Sequence, residues 1–581
     1  MEDTLPLTLQ ILIGPSMNTL PRNSDSKFGS ESDQFDVMVV GYGPVGAAMA
    51  TLLGRHGIRT LVIDKMTDIL LMPRAIALDN EALRILQMTG LTDQSFARIG
   101  IQEVKMHCPY IGQFSRVNTS GTIDGHPKLV TFYQPELEQA LRDQVAEYSC
   151  VRVRTGYELL HLQQNNHGVT ARIADANGNE QTVSARYLIG ADGASSTVRS
   201  LIGQDFKGQT YSEDWLIVDA NQRENKAIDH VEFNCDPKRP TPHMPAPGGR
   251  ERWEFMLQAG ETATEMEQPE KLAELLSPWL SSEELTIERQ AVYRFHARCC
   301  SRFQVDQTFL VGDAAHITPP FVGQGLVAGL RDVANLGWKL AWVIKGHAQP
   351  HILKSYDQER RPHANQMINL AKMMGKLVMP RNKPRAMAIH GMMRAINAIP
   401  PARSYVEDLK IKPANRFKKG LFKPEAGPDN LTGGTQLPQD FVLKDNRIQL
   451  SDDALGDALT LVGLGVDPCQ HLDSATQQAW QAAGGQFLHL GMRGQTNSGL
   501  APFAECLGNG LLPGAPEGWL VVVRPDRVIM HSGQPSQANA MISESLNMLQ
   551  SENMSILTAF TLKQQLRQRY PRGKGISHPR P

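Results

Sequence analysis

The chain lacks the features that would place a protein outside the cell or in a membrane. Its 581 residues include only seven cysteines, which are scattered and form no C-x-x-C pair. This pattern argues against a disulfide framework and against a zinc ribbon. A run of about 18 apolar residues, the length that a membrane-spanning helix needs, is also missing. We therefore expect a cytoplasmic protein with no metal site and no contact with a membrane.

An excess of charge of either sign is missing as well. The 59 Lys and Arg residues nearly balance the 60 Asp and Glu residues, so that the net charge is -1. Because nucleic-acid binding requires a basic face, no nucleic-acid partner is expected. Hydrophobic residues make up 41% of the chain and charged residues 20%, which is typical of globular proteins. At this length, an enzyme of several domains that acts on a small molecule is favoured.

Composition divides the chain into five segments. Residues 1–34 are rich in polar residues and predict a disordered extension. A large α/β region follows at 35–410, and the segment 411–435, rich in Pro, Gly and Lys, predicts a linker. Residues 436–565 have the size of a small separate domain. The basic tail at 566–581 is expected to be disordered.

The clearest motif is a glycine-rich turn between a buried strand and a helix. The pattern G-x-G-x-x-G follows the apolar run Val37–Val40 and precedes the helix-like stretch Ala47–His56. Its glycines would allow a tight turn, the approach of a pyrophosphate, and close packing of helix on strand. A second strand, Thr60–Ile63, ends at an aspartate that could bind an adenosine ribose with a free 2′-hydroxyl. The dinucleotide-binding candidates are Gly41, Gly43, Pro44, Val45, Gly46, Asp64 and Lys65.

Two later motifs favour a flavin over a nicotinamide dinucleotide in this turn. Residues 190–199 follow a short strand, and residues 308–325 run from a strand through a Gly- and Pro-rich loop into a helix. A flavin needs such a second anchor for its ribityl chain and its ring. Asp313 could hydrogen-bond the ribityl hydroxyls, and the helix N-terminus near Gly325 and Leu326 could stabilise charge on reduced flavin. FAD is therefore the expected cofactor.

These three motifs, in this order, resemble the single-component FAD-dependent aromatic hydroxylases typified by para-hydroxybenzoate hydroxylase and phenol hydroxylase. The resemblance covers residues 36–400 and is strongest to the subgroup that hydroxylates 3-(3-hydroxyphenyl)propionate. It implies an α/β fold with a Rossmann-like FAD-binding domain and an interleaved β-sheet substrate domain at about 107–125 and 205–300. It also implies a C-terminal thioredoxin-like domain, to which we assign no redox chemistry because C-x-x-C is missing.

The resemblance further implies the reaction and a set of site residues. NADH or NADPH would reduce FAD, O₂ would form a flavin C4a-hydroperoxide, and one oxygen atom would pass to a phenolic substrate. Additional contacts to the flavin or the nicotinamide are expected from Arg74, Gln134, Asp192, Arg199, Gly312, Pro320 and Gly323. Candidate catalytic residues are His316, Tyr293 and His296, and Arg250 and Arg252 could hold a substrate carboxylate.

Two other functions remain open on the sequence. One is a different flavin-dependent oxygenation, namely epoxidation or Baeyer–Villiger oxidation of a polyketide- or quinolone-like substrate. The other is an inactive FAD-binding scaffold that presents its C-terminal domain to a partner. Oxidation of NAD(P)H that is stimulated by an aromatic compound would distinguish an enzyme from a scaffold. A homodimer is a further expectation.

Overall fold

Three large β-sheets organise the part of the chain that the structure, a computed structural model, describes. The described residues are 34–222, 228–279, 285–407, 411–424, 428, 431–496, 499–508 and 518–551. The predicted disorder of residues 1–33 and 566–581 concerns segments outside these ranges. From Phe35 onward the chain forms one unit. In the described part, no helix is long and apolar enough to cross a bilayer.

The first sheet is parallel where the glycine-rich turn lies. Strands Gln34–Val40 and Thr60–Asp64 pair in parallel and are joined by helix Pro44–Arg55. Their apolar runs are buried without interruption, as in a sheet covered on both faces. The strand order is Val151–Thr155, Thr60–Asp64, Gln34–Val40, Glu180–Gly190, Gly168–Asp175 and Tyr157–Asn165, with Thr308–Leu310 beside Glu180–Gly190 and Gln304–Val305 beside Thr308–Leu310.

Helices cover this sheet, and one long buried helix begins where the motif at residues 308–325 ends. Helix Gly325–Ile344 is buried from Val327 to Val343, and its buried charged residues Arg331, Asp332 and Lys339 are paired with charges on other elements. A Cβ placed on Gly329 would lie 2.7 Å from Val45 Cγ2, so this helix and helix Pro44–Arg55 touch closely. The other helices of this region are Asn80–Met88, Gln134–Ala146, Thr197–Leu201, Lys354–Val378, Lys383–Asn397 and Pro400–Glu407.

The second sheet is mainly antiparallel and has one face against helices and one against a cavity. Side chains alternate between the two faces of a strand. Accordingly, Leu216 and Val218 pack against helices Ala263–Met266 and Pro269–Leu276, whereas Ile217 lines the cavity. The strand order is His316–Ile317, Leu285–Cys300, Phe206–Gln222, Arg250–Met256, Thr241–Ala246, Val231–Asn234, Glu103–Cys108 and Gly112–Asn118. Small sheets are formed by Ala77–Asp79, Leu129–Phe132 and Arg98–Gly100, and by Thr122–Ile123 and His126–Pro127.

The third sheet has the thioredoxin-like topology expected for the C-terminal region. Parallel strands Leu459–Leu464 and Gly485–Gly491 flank helix Ser474–Ala482, and the antiparallel pair Trp519–Val523 and Ile529–Gly533 precedes helix Ala538–Gln550. The strand order is Arg447–Leu450, Phe441–Lys444, Phe503–Cys506, Gly485–Gly491, Leu459–Leu464, Trp519–Val523 and Ile529–Gly533. The short helix Ser451–Leu455 directly follows the antiparallel pair Phe441–Lys444 and Arg447–Leu450 in the chain.

The segment predicted as a linker is packed against the large region over its described residues. Lys412 Nζ lies 2.8 Å from Asp79 Oδ2 and 3.0 Å from Glu81 Oε1. Phe417 and Phe422 are buried further along the segment. The Pro- and Gly-rich segment therefore has no regular secondary structure over its described residues, but buried apolar side chains and ion pairs hold it against the rest of the protein.

Candidate active site

A cavity of about 1240 Å³ lies between the carboxyl ends of the first sheet and the inner face of the second. Its walls include Gly43 and Asp64 on one side and Ile217 and Phe233 on the other. Ligand cavities usually measure about 300–1,000 Å³. The space is therefore large enough for a long cofactor together with a small substrate.

The glycine-rich turn forms one end of this cavity and has the shape that a pyrophosphate requires. Gly41 has φ +106°, and a Cβ on Gly46 would lie 2.0 Å from Gly41 O, so larger residues are excluded at both positions. A Cβ on Gly43 would meet nothing within 4 Å. The following helix begins at Pro44 without a side-chain cap, which leaves its first amides available to an anion. The turn thus fits the diphosphate of FAD.

Asp64 is held at the edge of this turn by backbone amides. Its Oδ2 accepts a hydrogen bond from Tyr42 N at 2.6 Å, and its Oδ1 accepts one from Met66 N at 2.8 Å. Arg142 Nη2 supports the turn by donating to Tyr42 O at 3.1 Å. The neighbouring Lys65 is exposed and lies outside the cavity. Of these two candidates, only the carboxylate therefore reaches the space for the ribose.

At the other anchor, a carboxyl group and a helix N-terminus face the cavity. Asp313 lines the cavity, has no hydrogen-bond partner among the described residues, and has a pKa raised by burial. The side chain of Gln324 donates to Asp79 Oδ2 at 3.0 Å rather than capping the helix that starts at Gly325. Gly323 adopts φ +60° just before it. These groups fit the ribityl hydroxyls and the ring of a flavin. Pro320, Gly323, Gly325 and Leu326 all line the cavity.

The loop that carries Arg74 is fixed from two sides. Gln134 Oε1 accepts hydrogen bonds from the amides of Arg74 and Ala75, both at 2.9 Å. Arg252 donates from Nη1 to Arg74 O at 3.1 Å and from Nη2 to Pro73 O at 3.0 Å. The side chain of Arg74 lines the cavity. Gln134 and Arg252 therefore act on the cavity partly through the position of this loop.

Charged side chains that the sequence did not single out lie on the inner face of the second sheet. Asp219 accepts from Arg252 Nε at 2.6 Å and from Arg289 Nη1 at 3.0 Å. Arg289 also donates to the hydroxyl oxygen of Tyr293. Glu254 lies on the same face and has no partner among the described residues, and burial raises its pKa to about 7. Because side chains alternate between the two faces of a strand, the sequence could have indicated that Arg252 and Glu254 share a face. Only the fold shows that Asp219 and Arg289 lie on the same face of the sheet.

The hydrogen-bond donors of Arg252 are used by these contacts, and the neighbouring candidate Arg250 lies outside the cavity. With four hydrogen bonds to Asp219 and to the loop, the guanidinium of Arg252 has little donor capacity left for a substrate carboxylate. Arg250 binds Glu288 Oε2 at 2.8 Å and stacks on Tyr133, outside the cavity. The sequence predicted that both arginines could hold a substrate carboxylate, but in the structure both bind other groups of the protein.

The candidate catalytic residues separate into two groups. Tyr293 and His296 line the cavity, and His296 Nδ1 lies 3.1 Å from Thr210 Oγ1. Burial, together with nearby arginines, lowers the pKa of His296. His316, by contrast, is enclosed in the protein with its Nε2 2.6 Å from Asp332 Oδ2, and it does not line the cavity. That buried contact with Asp332 gives His316 a structural role.

Three other cofactor candidates make structural contacts. Asp192 accepts from Val198 N at 3.0 Å at the start of a short helix. Arg199 donates to Ala314 O at 3.1 Å and lies over the ring of Phe206. Gly312, with φ +58°, lies against Val45. None of the three lines the cavity, although Ala191 and Gly193 beside Asp192 do. The side chains of Asp192 and Arg199 are instead bound to backbone atoms of the second and third motifs.

Comparisons with known proteins agree with this geometry. A family model described as FAD binding domain matches residues 34–371, and one described as HcaD C-terminal domain matches residues 434–548. The chain is 31% identical to a 3-(3-hydroxy-phenyl)propionate/3-hydroxycinnamic acid hydroxylase of Comamonas testosteroni, over 91% of this chain and 99% of the relative. It is 35% identical to a second hydroxylase of that description from Burkholderia vietnamiensis, over 85% and 92% of the two chains.

Solved structures show the same fold at lower identity. The flavin-dependent monooxygenase PieE has a TM-score of 0.75 and 20% identity, over 89% of this chain and 99% of its own. Aklavinone-11 hydroxylase has a TM-score of 0.71 and 22% identity, over 90% and 99%. At such identities the likeness concerns the fold alone.

Together with the family model and the relatives, the fold identifies a flavoprotein monooxygenase that uses FAD and NAD(P)H, as the sequence predicted. The chain belongs to the FAD binding domain family matched above and, within it, to the FAD-dependent aromatic hydroxylases. The predicted α/β fold and the predicted cofactor are thereby confirmed.

Proposed function

We propose that the enzyme hydroxylates the ring of a phenolic acid similar to 3-(3-hydroxyphenyl)propionate, the substrate type named for its relatives. Bound FAD, once reduced by NAD(P)H, would supply the chemistry, namely the activation of O₂, from which the transferred oxygen atom comes. The observation that carries the proposal is the pair of Arg289 and Tyr293 beside an apolar part of the cavity wall. The residues of the chain have to bind the ring, orient it and stabilise its ionised hydroxyl.

The wall beside Tyr293 suits an aromatic ring. Ile217, Phe233, Met244 and Phe321 line this part of the cavity. Burying a ring of this size against such side chains is favourable because apolar surface leaves water. The same enclosure keeps water from the reacting atoms.

The contacts of Tyr293 support a role for its hydroxyl group in binding the phenolic oxygen. A guanidinium can only donate hydrogen bonds, so the contact with Arg289 uses the hydroxyl oxygen of Tyr293 as acceptor. The hydroxyl hydrogen is therefore free to be donated into the cavity. The nearby positive charge makes this hydrogen a stronger donor, which favours a phenolate over a phenol as its partner. An ionised phenol has a more electron-rich ring, as oxygen transfer requires.

The test uses purified, FAD-loaded enzyme and 3-(3-hydroxyphenyl)propionate. This compound should stimulate oxidation of NADH or NADPH and yield a product one oxygen atom heavier, measured by mass spectrometry. The matched control is 3-phenylpropionate, which lacks the hydroxyl and should give no hydroxylated product. Tyr293→Phe should reduce product formation by about 10-fold to 100-fold, since one hydrogen bond to a charged group is lost. Failure of every phenolic acid to be hydroxylated would contradict the proposal.

Substrate should also control reduction of the flavin. The segment with Gly323 and Gly325 can change backbone conformation easily, and such loops commonly couple substrate binding to a catalytic step. Stopped-flow reduction by NADH or NADPH should be faster with the phenolic acid bound than without it. Equal rates would argue against this coupling.

Two further expectations, the cellular location and the homodimer, remain proposals. A cytoplasmic location is supported by the use of NAD(P)H and by seven cysteines that are all free, and cell fractionation would test it. The homodimer can be tested by light scattering of the purified protein. We also propose that the C-terminal domain is structural, because Arg524 reaches into the large region and binds Glu359 at 2.8 Å.

A further inference from the structure

Glu254 occupies an unusual position on the inner face of the second sheet. Its neighbours on the strand, Trp253 and Phe255, pack on the opposite side against the covering helices. On the cavity side, Glu254 is paired with Ile217 of the adjacent strand, and Pro242 lies on the strand at its other edge. The carboxyl group is therefore set between apolar side chains, and the residue is only 9% exposed.

The charged groups around Glu254 leave it without a partner. Arg252 on its own strand and Arg289 two strands away are both bound to Asp219. The hydroxyl oxygen of Tyr293 accepts a hydrogen bond from Arg289, and Arg74 lies on a loop at the edge of the cavity. The strand Thr241–Ala246 on the other side contributes Pro242 and Met244, which are uncharged. No described residue donates a hydrogen bond to Glu254. Because burial of an unpaired carboxylate is unfavourable, a partner inside the cavity would explain why this position holds Glu.

We propose that Glu254 is a catalytic residue that accepts the proton of the substrate phenol, an inference that rests on the proposed function. In this step the phenolic O–H bond breaks and an O–H bond forms on the carboxylate, while the electron pair stays on the phenolic oxygen. The negative charge moves from Glu254 to the phenolate, next to Tyr293 and Arg289. No electron is exchanged with the flavin.

The environment of Glu254 suits this transfer. Burial raises its pKa most strongly, Arg252 and Arg289 lower it and Asp219 raises it, and the net result is a pKa of about 7. A phenol such as that of tyrosine has a pKa of about 10. A base with a raised pKa accepts the phenol proton with a smaller unfavourable free energy than an ordinary glutamate would.

The first experiment compares turnover of full-length, FAD-loaded enzyme and its Glu254→Gln variant on 3-(3-hydroxyphenyl)propionate. Product formation should fall about 10²-fold to 10⁴-fold, the usual contribution of a general base. NAD(P)H oxidation should fall much less, with hydrogen peroxide replacing the product. In the parent enzyme, product formation should rise with pH through about 7, and this rise should vanish in the variant. Glu254→Asp should restore part of the rate.

Glu251→Gln is the matched control. Glu251 is a buried carboxylate on the same strand but on the opposite face, where its Oε2 lies 2.7 Å from His243 Nε2. This variant should keep the pH profile of product formation, because Glu251 does not line the cavity. A Glu254→Gln enzyme with the parental rate and pH profile would overturn the proposal.

A second experiment is independent of turnover. The same phenolic acid is bound anaerobically without NAD(P)H, at a pH above that of Glu254 ionisation and below that of the free phenol. The near-ultraviolet difference spectrum should show a bound phenolate in the parent enzyme, without proton release to a pH indicator, and a bound phenol in Glu254→Gln. Identical spectra would overturn the role of Glu254. A phenolate signal without any hydroxylation would instead overturn the proposed function alone.

Discussion

Replacement of Glu254 by Gln should stabilise the protein, and more so at higher pH. Burial raises the pKa of this carboxyl from its ordinary value of 4.5 to about 7. A carboxyl with a raised pKa binds its proton more tightly in the folded state. Its favourable contribution is therefore complete below pH 4.5 and is lost as the pH rises through about 7. Each tenfold difference in proton affinity is worth about 1.4 kcal/mol, so the loss approaches about 3 kcal/mol above neutral pH.

The glutamine side chain has the same shape and cannot ionise, so the variant avoids this loss. For about 500 residues that unfold together, with an unfolding entropy of about 2.1 cal/mol/K per residue, about 3 kcal/mol corresponds to about 3 °C. Thermal unfolding of FAD-loaded protein should therefore show nearly equal midpoints at about pH 5 and a midpoint about 3 °C higher for the variant at about pH 8.5. Glu251→Gln, which breaks a buried hydrogen bond, should instead lower the midpoint. A difference between Glu254→Gln and the parent that does not change with pH would refute the reasoning.

The remaining predictions concern the cofactor and the connection between domains. Gly46→Ala should prevent folding around FAD, because the new Cβ would lie 2.0 Å from Gly41 O. Gly43→Ala should fold but bind FAD more weakly, because its Cβ meets nothing within 4 Å in the protein. Circular dichroism measures the folding of both variants, and flavin fluorescence measures their binding of FAD. Asp313→Ala should weaken FAD about 10-fold to 100-fold, by loss of charge-assisted hydrogen bonds; unchanged affinity in a fluorescence titration would place Asp313 outside the site. Arg524→Ala should destabilise the protein by about 3–5 kcal/mol in urea unfolding, since Glu359 would keep a buried charge with Lys339 as its remaining cationic partner among the described residues. A loss below about 1 kcal/mol, typical of exposed pairs, would contradict this structural role.

The geometry of the cofactor side of the candidate site could be predicted because its determinants are local. The turn from Gly41 to Gly46 and the carboxylate of Asp64 lie within one strand–helix–strand unit, so their spacing in the chain implies their geometry. Asp313 and Gly325 follow from the same kind of local pattern. The candidates that lie outside the cavity, such as His316 and Arg199, come from the same motifs. The motif places the backbone, but the direction of each side chain depends on its tertiary neighbours.

The sequence by itself determined the glycine-rich turn, because the turn depends on contacts between residues close in the chain, and its ordered motifs determined the α/β class and the C-terminal domain through the family resemblance. Only the tertiary structure decided the substrate side of the cavity. Asp219, Glu254 and Arg289 come from three strands of one sheet, and their pairing depends on strand register over long separations. The burial that raises the pKa of Glu254 is likewise a property of that assembled sheet, since a carboxyl group in an extended peptide would remain in water.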